Sequence, residues 1–195
     1  YARDVWDWDI NREIFPVMVS EIPSFENGMV ETNEDGNTVV TYQLREGLQW
    51  SDGEAITSAD CEFMHTLQMN PEMITMQRGS YPDVVENFEV IDDLTFQLTY
   101  NAPYPDFTSG DYATCWLPEH VFAEMLEAEG NIDNHPYFDG ENVVGYGPFV
   151  LSEWNVGQNI VFEKNELWDG QEPAIDRIIL SFITETAQMV NSLDV

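Results

Sequence analysis

The sequence predicts an α+β protein, and three observations carry that prediction. Apolar residues alternate with period two in three stretches, each holding a turn signal, at residues 29–44, 88–100 and 148–164. Two stretches, opening at Thr57 and near Pro118, carry apolar residues at helical spacing. Strands and helices mix without the regular alternation of a parallel βαβ sheet.

Taken in order, "MVET" and "TVVTYQL" flank "NEDGN", whose Asp35-Gly36 pair suits a turn that needs positive φ. In the second arm Val40, Tyr42 and Leu44 share one face, with Thr41 and Gln43 on the other. "LQWSDGEAI" follows, with Asp52-Gly53 as a second turn signal. Thr57 opens a helix, and Asp60 stands at the capping-box spacing from it. Ala59, Phe63 and Leu67 are expected to face a core, and the helix should stop near Asn70-Pro71. "FEVI", a turn at Asp92-Asp93, and the one-faced set Leu94, Phe96, Leu98 and Tyr100 make the second hairpin. "APYPDF" ends it, because proline cannot continue a central strand.

Pro118 is expected at the first position of a short helix with the stripe Val121, Phe122, Met125 and Leu126, stopped by Gly130. Residues 131–142 are polar and read as a loop and a subdomain boundary. "PFVLSEW" and "NIVFEK" around "NVGQ" form the third hairpin. "RIILSFI" is apolar on both faces and reads as a central, doubly covered strand. "TETAQMVNSL" resumes a helical pattern.

Composition narrows the function classes. The chain has 195 residues, 43% of them hydrophobic and 13% aromatic, so a core is available. Its formal net charge is −31, from 37 acidic against 6 Lys and Arg residues spread along the chain. Such a surface repels nucleic acid and anionic membranes. A uniform acidic coat with one lysine, Lys164, reads as adaptation to molar salt, where the Debye length shrinks to about 3 Å. No segment reaches the ~20 apolar residues of a membrane span. No signal peptide is read at the start, so the chain is either cytoplasmic or has lost a leader. Cys61 and Cys115 have no metal spacing and read as two buried thiols, with a disulfide between them left open.

Catalytic motifs are not found. His65, His120 and His135 fall in different elements, and no H-E-x-x-H, G-x-S-x-G or Walker loop occurs. Gly145-Tyr146-Gly147-Pro148 reads as a backbone turn rather than a phosphate loop. The carboxylate clusters read as solvated surface, with neither metal nor cofactor expected. Trp50, Trp116 and Trp168 stand beside turns and read as roofs over a core.

Two segments carry a resemblance. "YQLREGLQWSDGEAITSADCEF" resembles the signature of family 5 extracellular solute-binding proteins, the dipeptide, oligopeptide and nickel receptors of ABC importers. Leu44, Arg45, Gly47, Trp50, Asp52, Gly53, Thr57, Asp60 and Phe63 match it, with Cys61 where an aliphatic residue is usual. "VVGYGPFVLSEWNVGQNIVFEKNELWDGQEPAIDRIILSFI" is similar to the family's Gly-Thr-Gly-Pro-Tyr strand and the turn, Trp-containing segment and central strand after it. Gly145, Gly147, Pro148, Phe149, Trp154, Gly157, Asn165, Trp168 and Asp176 match there, while Tyr146 replaces a Thr and Lys164 an Arg. "WLPEHVF" and "IPSFENG" resemble further family segments.

The resemblance implies a periplasmic-binding-protein-like fold of type II, of which this chain is a first-lobe fragment. Residues 1–135 would form the smaller subdomain of that lobe and 136–195 part of its main sheet. The second lobe, the hinge and the N-terminal strand would lie outside the chain. It implies a non-catalytic subunit that captures peptides or similar small solutes and delivers them to an ABC permease and ATPase. Its location would be extracellular or periplasmic, tethered to the outer face of the cytoplasmic membrane. Most signature residues are scaffold: Arg45, Gly47, Trp50, Asp52, Gly53, Asp60, Gly145, Gly147, Pro148 and Trp168. The ligand contacts expected are Tyr81, whose ring suits a peptide, and Arg78, whose guanidinium suits a carboxylate. A secreted carbohydrate-binding or hydrolase-associated module, or a structural cell-surface domain, stands as the alternative.

Overall fold

The computed structural model describes residues 5–73, 79–109, 112–140 and 142–183. Its centre is a four-stranded antiparallel sheet of order β3-β4-β6-β5. β3 spans Val30–Thr32, β4 Thr38–Gln43, β5 Val85–Asp92 and β6 Thr95–Tyr100. The first hairpin turns at Gly36, whose φ of 87° a side chain with a Cβ would resist. The alternation holds along β6, where Phe96, Leu98 and Tyr100 are buried. Tyr42 pairs with Phe96 across β4 and β6 at a ring-centroid distance of 5.0 Å. Trp6 stacks on Tyr42 at 5.8 Å and Phe88 on Phe96 at 5.0 Å, giving a column of four rings across the sheet. Aromatic pairs of this kind contribute about 0.5–1.5 kcal/mol each beyond the area they bury.

β1 (Trp6–Trp8) and β2 (Ile14–Pro16) form a small antiparallel pair that packs Trp6 into this core. A third sheet, of order β7-β8-β9, holds the last hairpin. Its strands are β7 (Phe149–Asn155), β8 (Asn159–Lys164) and β9 (Arg177–Ser181). β9 corrects the expectation of a central, doubly covered strand. Among the described residues it pairs only with β8, and Ile179 is 54% and Leu180 50% exposed. A continuous apolar run reports which faces a strand is suited to bury and does not fix its place in the sheet order.

Helix α1 covers Ser58–Met69 and starts as expected. The Thr57 side chain accepts from the backbone, and Asp60 returns the bond to Thr57 N at 2.9 Å. The helix ends at Asn70, before Pro71. Phe63 and Leu67 are buried, but Ala59 is exposed, against expectation. Asp60 has to turn inward to receive its donors. Its preceding neighbour, about 100° round the helix, then faces water. Helix α2 is one turn, Tyr81–Val84, and leads directly into β5.

Helix α3 covers Glu119–Glu129 and stops at Gly130, which is left-handed with φ 73°. Pro118 caps this helix rather than occupying its first turn, because its ψ of 120° is extended. Phe122 on α3 packs with Phe63, Met64 and Leu67 of α1 in a second core cluster. Full burial of a side chain like Phe122 stabilises by about 1.5–3 kcal/mol. Residues 131–142, expected as loop, contain one short 3-10 turn at Pro136–Asp139.

The cysteines also correct the reading. Cys61 on α1 and Cys115 ahead of α3 form a disulfide, with both residues 1% exposed. Burial was foreseen, but the pairing needs α1 and the 113–117 segment to lie side by side, and their separation of 54 residues leaves no local signal. The helical pattern from Thr184 onward lies outside the described residues.

Candidate functional site

The signature residues gather into two polar networks that hold the elements together. The first is centred on Asp60, which is 4% exposed. Its Oδ1 accepts from Trp50 Nε1 at 3.3 Å and from Glu119 N at 2.9 Å, and its Oδ2 accepts from Thr57 N. One carboxylate therefore caps α1, receives the first N–H of α3 and satisfies a fully buried tryptophan. Burial pushes the Asp60 carboxyl above its usual range, and the three N–H donors oppose that shift.

Trp50 roofs the core as expected, although its N–H meets a carboxylate rather than a backbone carbonyl. The Asp52-Gly53 turn folds back below it, with Gly53 at φ 95°. Asp52 Oδ2 lies 2.8 Å from His120 Nε2 on α3. The opening of α3 is thus held by both Asp52 and Asp60.

The second network surrounds Arg45, just beyond β4. Arg45 Nε donates to Val17 O at 2.8 Å, Nη1 to Asp169 Oδ2 at 2.8 Å, and Nη2 to the Tyr146 hydroxyl at 3.0 Å. Gly145 N donates to Ser51 Oγ, while Gly147 O and Pro148 O accept from the buried Asn165. The Gly-Tyr-Gly-Pro stretch is the backbone turn expected. Trp168 stacks obliquely on Tyr146 at 5.0 Å and donates its indole N–H to Gln171 O. A groove of about 480 Å³ opens beside Arg45, between Phe15, Pro16 and Val17 on one side and Pro148, Trp168 and Gln171 on the other.

Tyr81 was expected to face ligand. It is 1% exposed, and its hydroxyl lies 2.8 Å from His65 Nδ1. Its ring meets Tyr112 at 5.8 Å, and Tyr112 in turn meets Tyr100 and Tyr104. Its ring is buried against Tyr112 and His65, so Tyr81 packs within the protein in this conformation. Arg78 lies outside the described residues. Burial pushes the Tyr81 phenol well up and the His65 ring down, so both stay neutral near pH 7.

Sequence reasoning missed the partners of Arg45 and the second donor set of Asp60. Arg45 and Asp169 are 124 positions apart, and no local pattern joins them. Among the described residues no group of three or more His, Cys, Asp and Glu side chains is placed to hold a metal ion.

Both networks tie separate elements of the chain to one another. Residues 14–194 match the family model described as bacterial extracellular solute-binding proteins, family 5 middle. Protein XP55 of Streptomyces lividans is 29% identical over 167 residues, which cover 86% of this chain and 28% of that protein. The oligopeptide-binding protein OppA of Bacillus subtilis is 26% identical over 178 residues, covering 81% of this chain and 31% of OppA. The chain thus spans under a third of the length of these curated relatives. In fold it is similar to an oligopeptide-binding protein of Thermus thermophilus crystallised with a pentapeptide. The TM-score is 0.79 at 19% identity, over 98% of this chain and 37% of the other. The chain belongs to the family 5 bacterial extracellular solute-binding proteins.

Proposed function

We propose that this chain is the first-lobe part of a non-catalytic receptor that captures peptides or similar small solutes outside the cell for an ABC importer. The observation that carries this reading is the family match across nearly the whole chain, joined to relatives named for oligopeptide binding. The physical account agrees with it. The polar signature residues Arg45, Asp52 and Asp60 bond to groups of the protein itself, as scaffold does. His65 is half-buried, with its Nδ1 2.8 Å from the Tyr81 hydroxyl and its ring stacked on Phe88, so its contacts are those of packing.

In this reading the four-stranded unit up to about residue 135 is the smaller subdomain and the β7–β9 sheet belongs to the main one. Solute is enclosed when a second lobe closes on the first, the usual logic of hinged receptors. The complete protein passes its cargo to a membrane permease driven by an ATPase and is tethered to the outer face of the cytoplasmic membrane. The acidic coat keeps it soluble and folded in molar salt. A buried disulfide suits an oxidising location outside the cytoplasm.

The test is native mass spectrometry of the full-length protein with a defined panel of di- to pentapeptides in volatile salt. The reading expects one peptide bound per protein. A protein that binds no member of the panel but hydrolyses some of them would overturn it.

A further inference from the structure

Arg45, Tyr146 and Asp169 form a closed ring of three polar contacts. Arg45 gives one guanidinium N–H to Asp169 Oδ2 at 2.8 Å and another to the Tyr146 oxygen at 3.0 Å. The Tyr146 hydroxyl donates to the other Asp169 oxygen, Oδ1, at 2.8 Å. The three residues come from different places. Arg45 follows β4 of the four-stranded sheet, Tyr146 leads into β7, and Asp169 follows β8 of the three-stranded sheet.

Tyr146 and Arg45 are each held by a contact outside the ring. Tyr146 is 1% exposed and its ring is wedged against Trp168. Arg45 is pinned by its Nε to Val17 O. Burial, with Asp169 beside it, keeps the Tyr146 phenol protonated, so it remains a donor to Asp169. The ring includes charge-assisted bonds, which are roughly twice as strong as neutral ones. A threonine at position 146, as the family pattern has it, would be too short to reach from this backbone to Arg45 and Asp169. The other ties near this turn run from Ser51 to Gly145, from Tyr137 to Val144 O and from Asn165 to Gly147 O and Pro148 O; in each of them the turn takes part through its backbone, so Tyr146 is its one side chain that reaches across to both Arg45 and Asp169.

We propose that Arg45, Tyr146 and Asp169 act as a latch that locks the four-stranded sheet to the three-stranded sheet, so that the two move as one body. The phenol is the neutral member and closes the ring, accepting from Arg45 and donating to Asp169.

The test uses the full-length protein with Tyr146→Phe, which keeps the buried ring and deletes only the hydroxyl. Hydrogen exchange is followed in segments 145–149 and 166–171, with α1 as the internal reference. The latch predicts exchange about tenfold faster in those two segments and unchanged in α1, the pattern of local opening. Asp169→Asn, which keeps the shape and removes the charge, should reproduce it. Spin labels placed at the exposed Glu89 on β5 and Glu153 on β7 should give a broader distance distribution in both variants than in the parent. Unchanged exchange in both segments, or a rise shared equally by α1, would overturn the latch. A distribution no broader than the parent's would overturn the one-body motion. Neither readout involves a bound solute, so their failure would leave the proposed capture function standing.

Discussion

Removing the Cys61–Cys115 disulfide should cost this chain about 4 kcal/mol. The two cysteines are 54 residues apart, and both are buried. In the chain-entropy account, opening a loop of that length returns roughly 14 cal/mol/K to the unfolded chain, or about 4 kcal/mol at 25 °C. The bridge also joins α1 to the segment leading into α3, so its loss should loosen the second core cluster around Phe63 and Phe122. The perturbation is the double change Cys61→Ala and Cys115→Ala, which leaves small apolar groups at both buried sites. For a chain of this size 1 kcal/mol corresponds to about 2–4 °C, so the melting midpoint should fall by roughly 8–16 °C. Thermal and urea melts in molar salt measure it, and a reducing agent added to the parent should reproduce the loss. Intact mass after alkylation under denaturing conditions shows whether free thiols were present at the start. A loss below about 1 kcal/mol, or full alkylation without reduction, would refute the reasoning.

Three further outcomes are expected. Trp50→Ala should destabilise by about 3–5 kcal/mol, the range for a large buried aromatic side chain, and a urea melt measures it. Trp50→Phe, which removes the N–H bond to Asp60 and part of the ring but keeps a buried aromatic, should cost clearly less than Trp50→Ala, so equal losses in the two variants would contradict the packing role. Burial lowers the His65 pKa in the folded state. Above the ordinary value of about 6.5 both states are neutral and this contribution to stability is intact. As pH falls from there through the folded value, the unfolded chain takes up the proton first and stability is lost. His65→Gln should flatten the acid side of a plot of melting temperature against pH, and an unchanged slope would remove His65 as a cause. Finally, the fold should loosen below about 0.5 M salt as the screening of its −31 charge weakens, and circular-dichroism melts that do not change with salt would refute this.

Local order was the part of the fold that could be read from sequence. The Thr57–Asp60 box, the stop at Gly130 and the turn at Gly36 are each set by residues within a few positions of one another, and the structure has all three. Features set by distant chain segments were not legible. The disulfide, the bond from Asp60 to the first turn of α3, and the ring of Arg45, Tyr146 and Asp169 all join positions that only the fold brings together. Ala59 shows how the two levels interact. Its apolar spacing pointed inward, but burying Asp60 rotates Ala59 to the surface. β9 shows a different limit, since its apolar run says nothing of how many strands flank it. In the candidate site, the signature motif identified the family. Tyr81 was chosen for its chemistry, and the rings that meet it, His65 of α1 and Tyr112 beyond β6, are brought to it only by the fold.

The most direct test of receptor function is small-angle scattering of the full-length protein in molar salt, with and without a peptide that it retains in native mass spectrometry. Capture between two lobes predicts a smaller radius of gyration on saturation, with a midpoint that tracks the calorimetric affinity. A peptide that binds stoichiometrically without compaction, or a protein that binds none at all, would contradict the account.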